Sequence, residues 1–381
     1  MRPGFSVWIL GVVTITAYGS WFYGFGVLIE PIQDDVGWST SMLGATFATA
    51  QVIAGIGAFV AGRLLDRFGA VGPFGVQAVL GAGPLLAATW ADDILVFAVL
   101  YAIGGGVIGA SGFYHVTTVA AARIQPTAPA KAIAKLTLIG AFCSPIFIPL
   151  TALVADVYGW RVGARMLALL ALGGALAGMA LRQQSSSEGN GPSENPISAL
   201  RLALRSSVVR RMFGAYIAGG IAFSTVLVYQ VPIMMHSGLS LGLAGLFAGF
   251  RGLCQILGRV GLTRALTRWG SGPLLLAAYA LSAGGVVLLL VGEVVAAAAF
   301  AVLAGAGFGA TSPLQAIHSS ERFAAADLGL LMGMQGAVLG LAGGLGPLLG
   351  GTIRDATGSW TWVVVAAAGF LLIGAAQMRD A

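Results

Sequence analysis

Residues 31–39 read PIQDDVGWS, and residues 232–240 read PIMMHSGLS. The two stretches lie 201 positions apart in a chain of 381 residues. At the same shift, GRLLDRFG at 62–69 falls on TRALTRWG at 263–270 without a gap. FAVL at 97–100 recurs at 300–303, which also superposes His115 on His318. PLTALVADVYGW at 149–160 resembles PLLGGTIRDATGSW at 347–360. Shared apolar composition does not explain paired Pro, Gly, His and Asp–x–x–Gly positions in the same order. The matches mark the chain as two copies of one unit.

Composition says what the unit is. The chain is 57% hydrophobic and 9% charged, with a mean hydropathy of +0.90. A soluble domain is about one quarter charged, so this chain cannot cover itself with polar groups. Twelve apolar stretches are each long enough to cross a hydrocarbon core about 30 Å thick. They fall at 5–30, 39–61, 72–90, 93–121, 131–157, 160–181, 210–235, 240–262, 273–291, 293–318, 326–351 and 360–378. The runs are continuous and rich in Ala, Leu and Gly rather than alternating, which predicts helices and not a barrel. The first run is too long for a signal peptide and reads as the first span. The 58 glycines suit close helix contact in lipid. Cys143 and Cys254 both sit in apolar runs and imply neither a disulfide framework nor a metal site.

The one long polar stretch is RQQSSSEGNGPSENPISALRLALRSSVV at 182–209. Its Ser, Gly, Pro and Asn predict a linker. The expected organisation is therefore an all-α polytopic membrane protein. A six-helix bundle over 1–181, a linker over 182–209 and a second six-helix bundle over 210–381 form a pseudo-symmetric pair. Parallel halves of this kind, sharing a site at their interface, are a transporter architecture.

The net charge of +6 is no nucleic-acid signal, because of where the charges fall. With both termini in the cytoplasm, fifteen of the twenty Lys and Arg residues lie inside. Only Arg161, Arg165 and Arg354 lie outside. The positive-inside rule thus predicts cytoplasmic termini in a cell inner membrane. Arg251 and Arg259 remain, inside the eighth span.

Twelve spans as six plus six, a polar central linker, and Gly62–x–x–x–Asp66–Arg67–x–Gly69 after the second span resemble the major facilitator superfamily. Within it, Tyr23–Gly24–x–Gly26–Val27, Gly37–Trp38–Ser39 and Gly159–Trp160–Arg161 resemble the monocarboxylate and oxalate–formate porter branch. The resemblance implies that the 62–69 loop latches the outward-open state. The two glycines allow a tight turn, and Asp66 can pair with Arg123 or a helix N-terminus. The second copy has Thr267 in place of Asp66, so the latch is expected from the first half alone. An ordinary charged turn is the plainer reading of the same residues.

GFRGLCQILGRVG at 249–261 holds the two arginines of the eighth span. Steps of four residues put Arg251, Gln255 and Arg259 on one stripe of an α-helix. A charge at the bilayer centre costs about 3 kcal/mol on insertion scales, so the stripe must face water or a partner. The acidic residues cluster at span ends, and a permanent cation suits an anionic substrate gripped by guanidinium. Depth favours Arg251. The porter resemblance favours Gln255 and Arg259. Arg259 could instead snorkel to the interface, and Arg251 could bond helix carbonyls. The partner stretch ATAQVIAGIGAFV at 48–60 has Ala50 and Ala58 at these places, so the charges belong to one half only.

Tyr23, Tyr114, Tyr229 with Gln230, and Gln335 are expected as cavity walls, with packing or lipid contact as the plainer reading. His115 and His318 could relay protons, with Glu30 and Asp156, at the outer ends of the first and fifth spans, the nearest acidic alternatives. GPLLGG at 346–351 reads as a site of helix packing and bending. There is no phosphate-binding Gly–Lys–Ser/Thr loop, no metal-ligand cluster and no soluble domain to hold an active site. The expectation is a cofactor-free, monomeric, non-enzymatic transporter. It would move a small organic anion by alternating access, with protons as the coupling ion and the lipid bilayer as its setting. The alternative is a proton-driven polyspecific efflux pump for drugs or metabolites.

Overall fold

The computed structural model describes the backbone of residues 3–181, 205–323 and 328–379. Linker residues 182–204 and the start of the expected eleventh span, 326–327, lie outside the described residues. The described residues are helical throughout, with no strand among them. Twelve helices are long and apolar enough to cross a membrane. Helices 1 to 6 are Phe5–Val36, Thr40–Phe68, Val71–Trp90, Ile94–Ile124, Lys131–Tyr158 and Trp160–Met179. Helices 7 to 12 are Ser207–His236, Leu241–Arg259, Ser271–Leu290, Val294–Ser320, Gln335–Thr357 and Trp360–Met378. The shortest has 19 residues, about 28 Å at 1.5 Å per residue.

The residues form two compact units. One comprises described residues within Met1–Gly189 together with Ser240–Gly249, and the other those within Asn190–Leu239 and Phe250–Ala381. In the first unit helix 2 packs along helix 4, and helix 1 lies against helix 6. The first part of helix 8 belongs to this unit, with Gly245 against Ala152 and Gly249 against Pro149 of helix 5. In the second unit helix 9 packs along helix 10, and helix 7 against helices 11 and 12. Small residues make this possible. A Cβ at Gly346 would overlap Ser224, and one at Gly350 would stand 2.7 Å from the Tyr229 ring. The GPLLGG segment therefore packs helix 11 on helix 7.

The sequence repeat reappears in the backbone. Gly37 and Gly238 end helices 1 and 7 with φ of 70° and 97°. Gly69 and Gly270 follow at 63° and 76°, and Gly159 and Gly358 at 82° and 67°. These φ values favour glycine because it carries no Cβ. Serine and aspartate start other helices: Ser39 accepts from the Met42 N–H, and Asp93 from the N–H groups of Leu95 and Val96.

Three expectations need correction. Gly62 lies within helix 2, and only Gly69 forms the turn. Helix 1 runs to Val36, so Glu30 stands inside the helix, half-buried, rather than at its end. Helix 8 is α-helical only from Leu241 to Cys254. A turn at Gln255–Ile256 and a 3₁₀ turn at Leu257–Arg259 follow. A 3₁₀ turn advances about 120° per residue rather than 100°, so Arg251, Gln255 and Arg259 do not share one stripe.

Candidate functional site

The break in helix 8 lies where it packs closely on helix 10. A Cβ on Gly305 would stand 2.6 Å from the Arg251 carbonyl oxygen. One on Gly309 would overlap the Gln255 carbonyl, and one on Gly258 the Ala306 carbonyl. Backbone thus touches backbone along this seam. Arg251, ahead of the break, is fully buried. Its Nε–H donates to Gln230 Oε1 at 2.7 Å. Its guanidinium carbon lies 5.8 Å from the Phe308 ring centroid, and Phe308 meets Phe223 edge-on. Gln230 is also fully buried. It is a neutral acceptor, so it orients the guanidinium without neutralising it. Arg259, beyond the break, is exposed, with its Nε–H 3.3 Å from the Gly309 carbonyl. Gln255 is half-buried. Of the two arginines, the one favoured by depth is enclosed within the protein.

Two expected wall residues are internal instead. Tyr229 is fully buried, donates its hydroxyl to the Pro347 carbonyl at 2.5 Å and packs on Trp360. Gln335 accepts from Ser319 at 2.6 Å and is 5% exposed. Ser319 also contacts the Tyr216 hydroxyl, which donates to the Gln315 carbonyl, while the Gln315 amide donates to Tyr279. These groups tie helices 7, 9, 10 and 11 together, because polar groups in a membrane bundle must bond one another. Sequence order held no signal for this network.

The two histidines occupy different settings despite their matched positions. Helix 4 breaks at Phe113, whose backbone is extended. His115 Nε2–H donates to the Ala110 carbonyl, in the last turn before the break, at 2.8 Å, and the side chain is otherwise exposed. His318 is fully buried, with Nδ1 2.8 Å from Ser271 Oγ. Ser271 donates its single proton to Glu321 Oε2 at 2.5 Å, and Arg322 lies 3.3 Å from the same oxygen. His318 Nδ1 must therefore carry a proton to donate to Ser271. Its Nε2 is left without a hydrogen-bond partner among the described residues. Ala70 stands at the first-half position of Ser271.

The first unit gathers aromatic rings where its helices are irregular. Helix 1 is π-helical over Tyr18–Tyr23 and helix 3 over Gln77–Ala82. Such insertions recur at functional sites. Tyr18 stacks on Phe113 with centroids 3.7 Å apart and planes at 2°. Tyr114 lies 5.3 Å and Tyr23 6.2 Å from Tyr18. The structure thus brings the expected pair Tyr23 and Tyr114 together around Tyr18. Gln77 is fully buried beside Gly112, and neither amide atom has a hydrogen-bond partner among the described residues.

Charged pairs close both ends of the first unit. Asp66 pairs with Arg123, whose guanidinium also reaches the Leu65 carbonyl at 3.5 Å. Arg67 lies over the Phe68 ring instead, 5.2 Å from its centroid. At the other end Arg161 bridges Asp35 at 2.5 Å and Asp92 at 2.8 Å, and the Trp160 indole N–H donates to Asp35 at 2.9 Å. The Gly159–Trp160–Arg161 motif thus has a structural task whose partners are distant in sequence. Among the described residues no group of three His, Cys, Asp or Glu side chains is placed to hold a metal ion.

Twelve apolar helices in two repeated units, carrying a buried cation and paired charges at helix ends, define a polytopic helical transporter. The model of the Major Facilitator Superfamily matches residues 9–296 and 212–378, and the chain belongs to that superfamily. It is a transport protein and not an enzyme. No curated protein matches the sequence. Among solved structures, a mutant of the nucleoside transporter NupG is similar with a TM-score of 0.86. It shares 14% identity over 100% of this chain and 99% of that one. A D-xylose–proton symporter is similar at 0.78, with 16% identity over 99% and 97%. A bacterial homologue of the lysosomal transporter Spinster gives 0.76, with 16% identity over 99% and 96%. At these identities the likeness carries the fold alone.

Proposed function

We propose that the chain is a secondary active transporter that carries a small organic anion of the monocarboxylate kind by alternating access, coupled to protons. The observation that carries this reading is Arg251: a permanent cation deep in a membrane helix, held by a neutral amide. Guanidinium keeps its charge at any working pH, and its planar fork matches a carboxylate. Gln230 holds the Nε–H of this guanidinium. The break in helix 8 places Arg259 outside this enclosure, where it can snorkel to the interface.

His318 is the stronger proton carrier of the two histidines. Its ring is buried, with Nδ1 beside Ser271 and Nε2 without a hydrogen-bond partner among the described residues, whereas His115 is exposed and bonds a helix carbonyl through Nε2. The Asp66–Arg123 pair acts as the latch at one end of the first unit. The charge distribution supports an inner-membrane protein with cytoplasmic termini, working as a monomer.

The test is uptake of labelled lactate, pyruvate, formate or oxalate into proteoliposomes, with and without an inward proton gradient. At least one should accumulate under the gradient, and Arg251→Gln should abolish that uptake. The reading fails if none of the four is transported or bound, or if Arg251→Gln transports at the wild-type rate.

A further inference from the structure

The second copy of the 62–69 segment is built differently from the first. In the first half, helix 2 runs unbroken from Thr40 to Phe68 and buries Ala61 and Leu65. In the second half the chain turns before the copy begins. Val260 has φ −67° and ψ 126°, and Gly261 has φ 72° and ψ 2°. These are the angles of a type II turn. A separate helix, Leu262–Trp269, follows, and none of its residues is buried.

The helix is cleanly two-faced. Leu262, Ala265, Leu266 and Trp269 recur at i, i+3, i+4 and i+7 on one side, and Thr263, Arg264, Thr267 and Arg268 occupy the other. Trp269 is 55% exposed, with the Arg268 guanidinium 5.1 Å from its ring centroid. Just before the turn, Ile256, Leu257 and Val260 on the end of helix 8 are exposed as well. Arg264 and Arg268 are exposed and take part in none of the ion pairs among the described residues. Thr267 stands between them where the first half has Asp66.

We infer that Leu262–Trp269 is an interfacial helix that binds the headgroups of anionic phospholipids through Arg264 and Arg268. Its apolar side and Trp269 enter the acyl boundary, where amphipathic helices and tryptophan settle. The guanidinium groups, one turn apart, meet the headgroup phosphates. The pseudo-symmetric site in the first half carries Asp66 beside its arginines and pairs it within the protein. The exchange of Asp for Thr thus turns an internal latch into a lipid contact.

The experiment uses the full-length protein in nanodiscs of phosphatidylcholine, titrated with short-chain phosphatidylglycerol. Saturable binding is expected. Arg264→Gln with Arg268→Gln should weaken it about thirty-fold, from about 1 kcal/mol per basic residue at the surface. Arg264→Lys with Arg268→Lys should largely restore it, and Arg63→Gln with Arg67→Gln should leave it within a few-fold of wild type. Should the double glutamine variant fold poorly, Thr267→Asp supplies the same test by placing a carboxylate between the two arginines. Unchanged titration in both variants overturns the inference. So does an equal loss in the Arg63/Arg67 pair, competition by inorganic phosphate at equal concentration, or a dimer that the double variant converts to monomer.

Discussion

Arg251 donates its Nε–H to Gln230 across 2.7 Å, and both side chains are fully buried. Helix 7 thereby sets the direction of the one cation that helix 8 encloses. Gln230 holds the guanidinium without itself adding a charge, whereas a carboxylate at this position would add a negative one.

Gln230→Glu should therefore keep the fold and lose the anion. Affinity for small carboxylates, read by calorimetry, is expected to fall at least ten-fold with no loss in melting temperature. Gln230→Leu removes a hydrogen bond to a charged group, worth about 2 kcal/mol, and should lower the melting temperature. Wild-type anion affinity in Gln230→Glu would show that Arg251 is not the counter-charge.

The Asp66–Arg123 pair is partly exposed, at 47% and 26% of the two side chains, and such pairs contribute at most about 1 kcal/mol to stability. Asp66→Asn should therefore leave melting almost unchanged while transport drops several-fold. The charge-reversed double variant Asp66→Arg with Arg123→Asp should recover part of it. Wild-type transport by Asp66→Asn in proteoliposomes would end the latch assignment.

His318→Gln should abolish uptake driven by a proton gradient yet preserve exchange of substrate across the vesicle, because exchange needs no net proton movement. His115→Gln should instead lower stability, since it weakens the contact with the Ala110 carbonyl beside the helix 4 break. Comparing gradient-driven uptake with exchange, alongside melting curves, separates the two. Gradient-driven uptake at the wild-type rate in His318→Gln would refute the assignment.

Gly309 meets the Gln255 backbone, whereas nothing lies within 4 Å of a Cβ at Gly340. Gly309→Val should cost about 1–3 kcal/mol, the range for overpacking. Gly340→Ala should be neutral or stabilising, since it lowers the entropy of the unfolded chain in a helical position. Thermal unfolding of both variants in one detergent tests the contrast. Equal melting temperatures would mean that the seam between helices 8 and 10 can open without loss.

The twelve helices, the repeat and the Asp66–Arg123 partnership were legible in the residues. The first two depend on local runs of apolar side chains and turn glycines, which act on the chain in their immediate neighbourhood. The third was legible because both residues stand in short charged segments at helix ends. The expected stripe of Arg251, Gln255 and Arg259 failed for a non-local reason. It assumed a continuous α-helix, and helix 8 instead breaks where its backbone packs on Gly305 and Gly309 of helix 10. Tyr229 and Gln335 were read correctly as polar groups in membrane helices, but periodicity alone does not tell a wall from a seam.

By itself, then, the sequence determined that the chain crosses a membrane twelve times in two copies of one unit, and that the first copy has Ala50 and Ala58 at the places of Arg251 and Arg259. Those properties are written in composition, spacing and internal likeness. Only the tertiary structure decided that Arg251 is enclosed beside Gln230, that Arg259 is not, and that His318 is buried whereas His115 is exposed. A side chain's partner depends on which helix faces it and how closely, and in this bundle glycines on neighbouring helices set that distance.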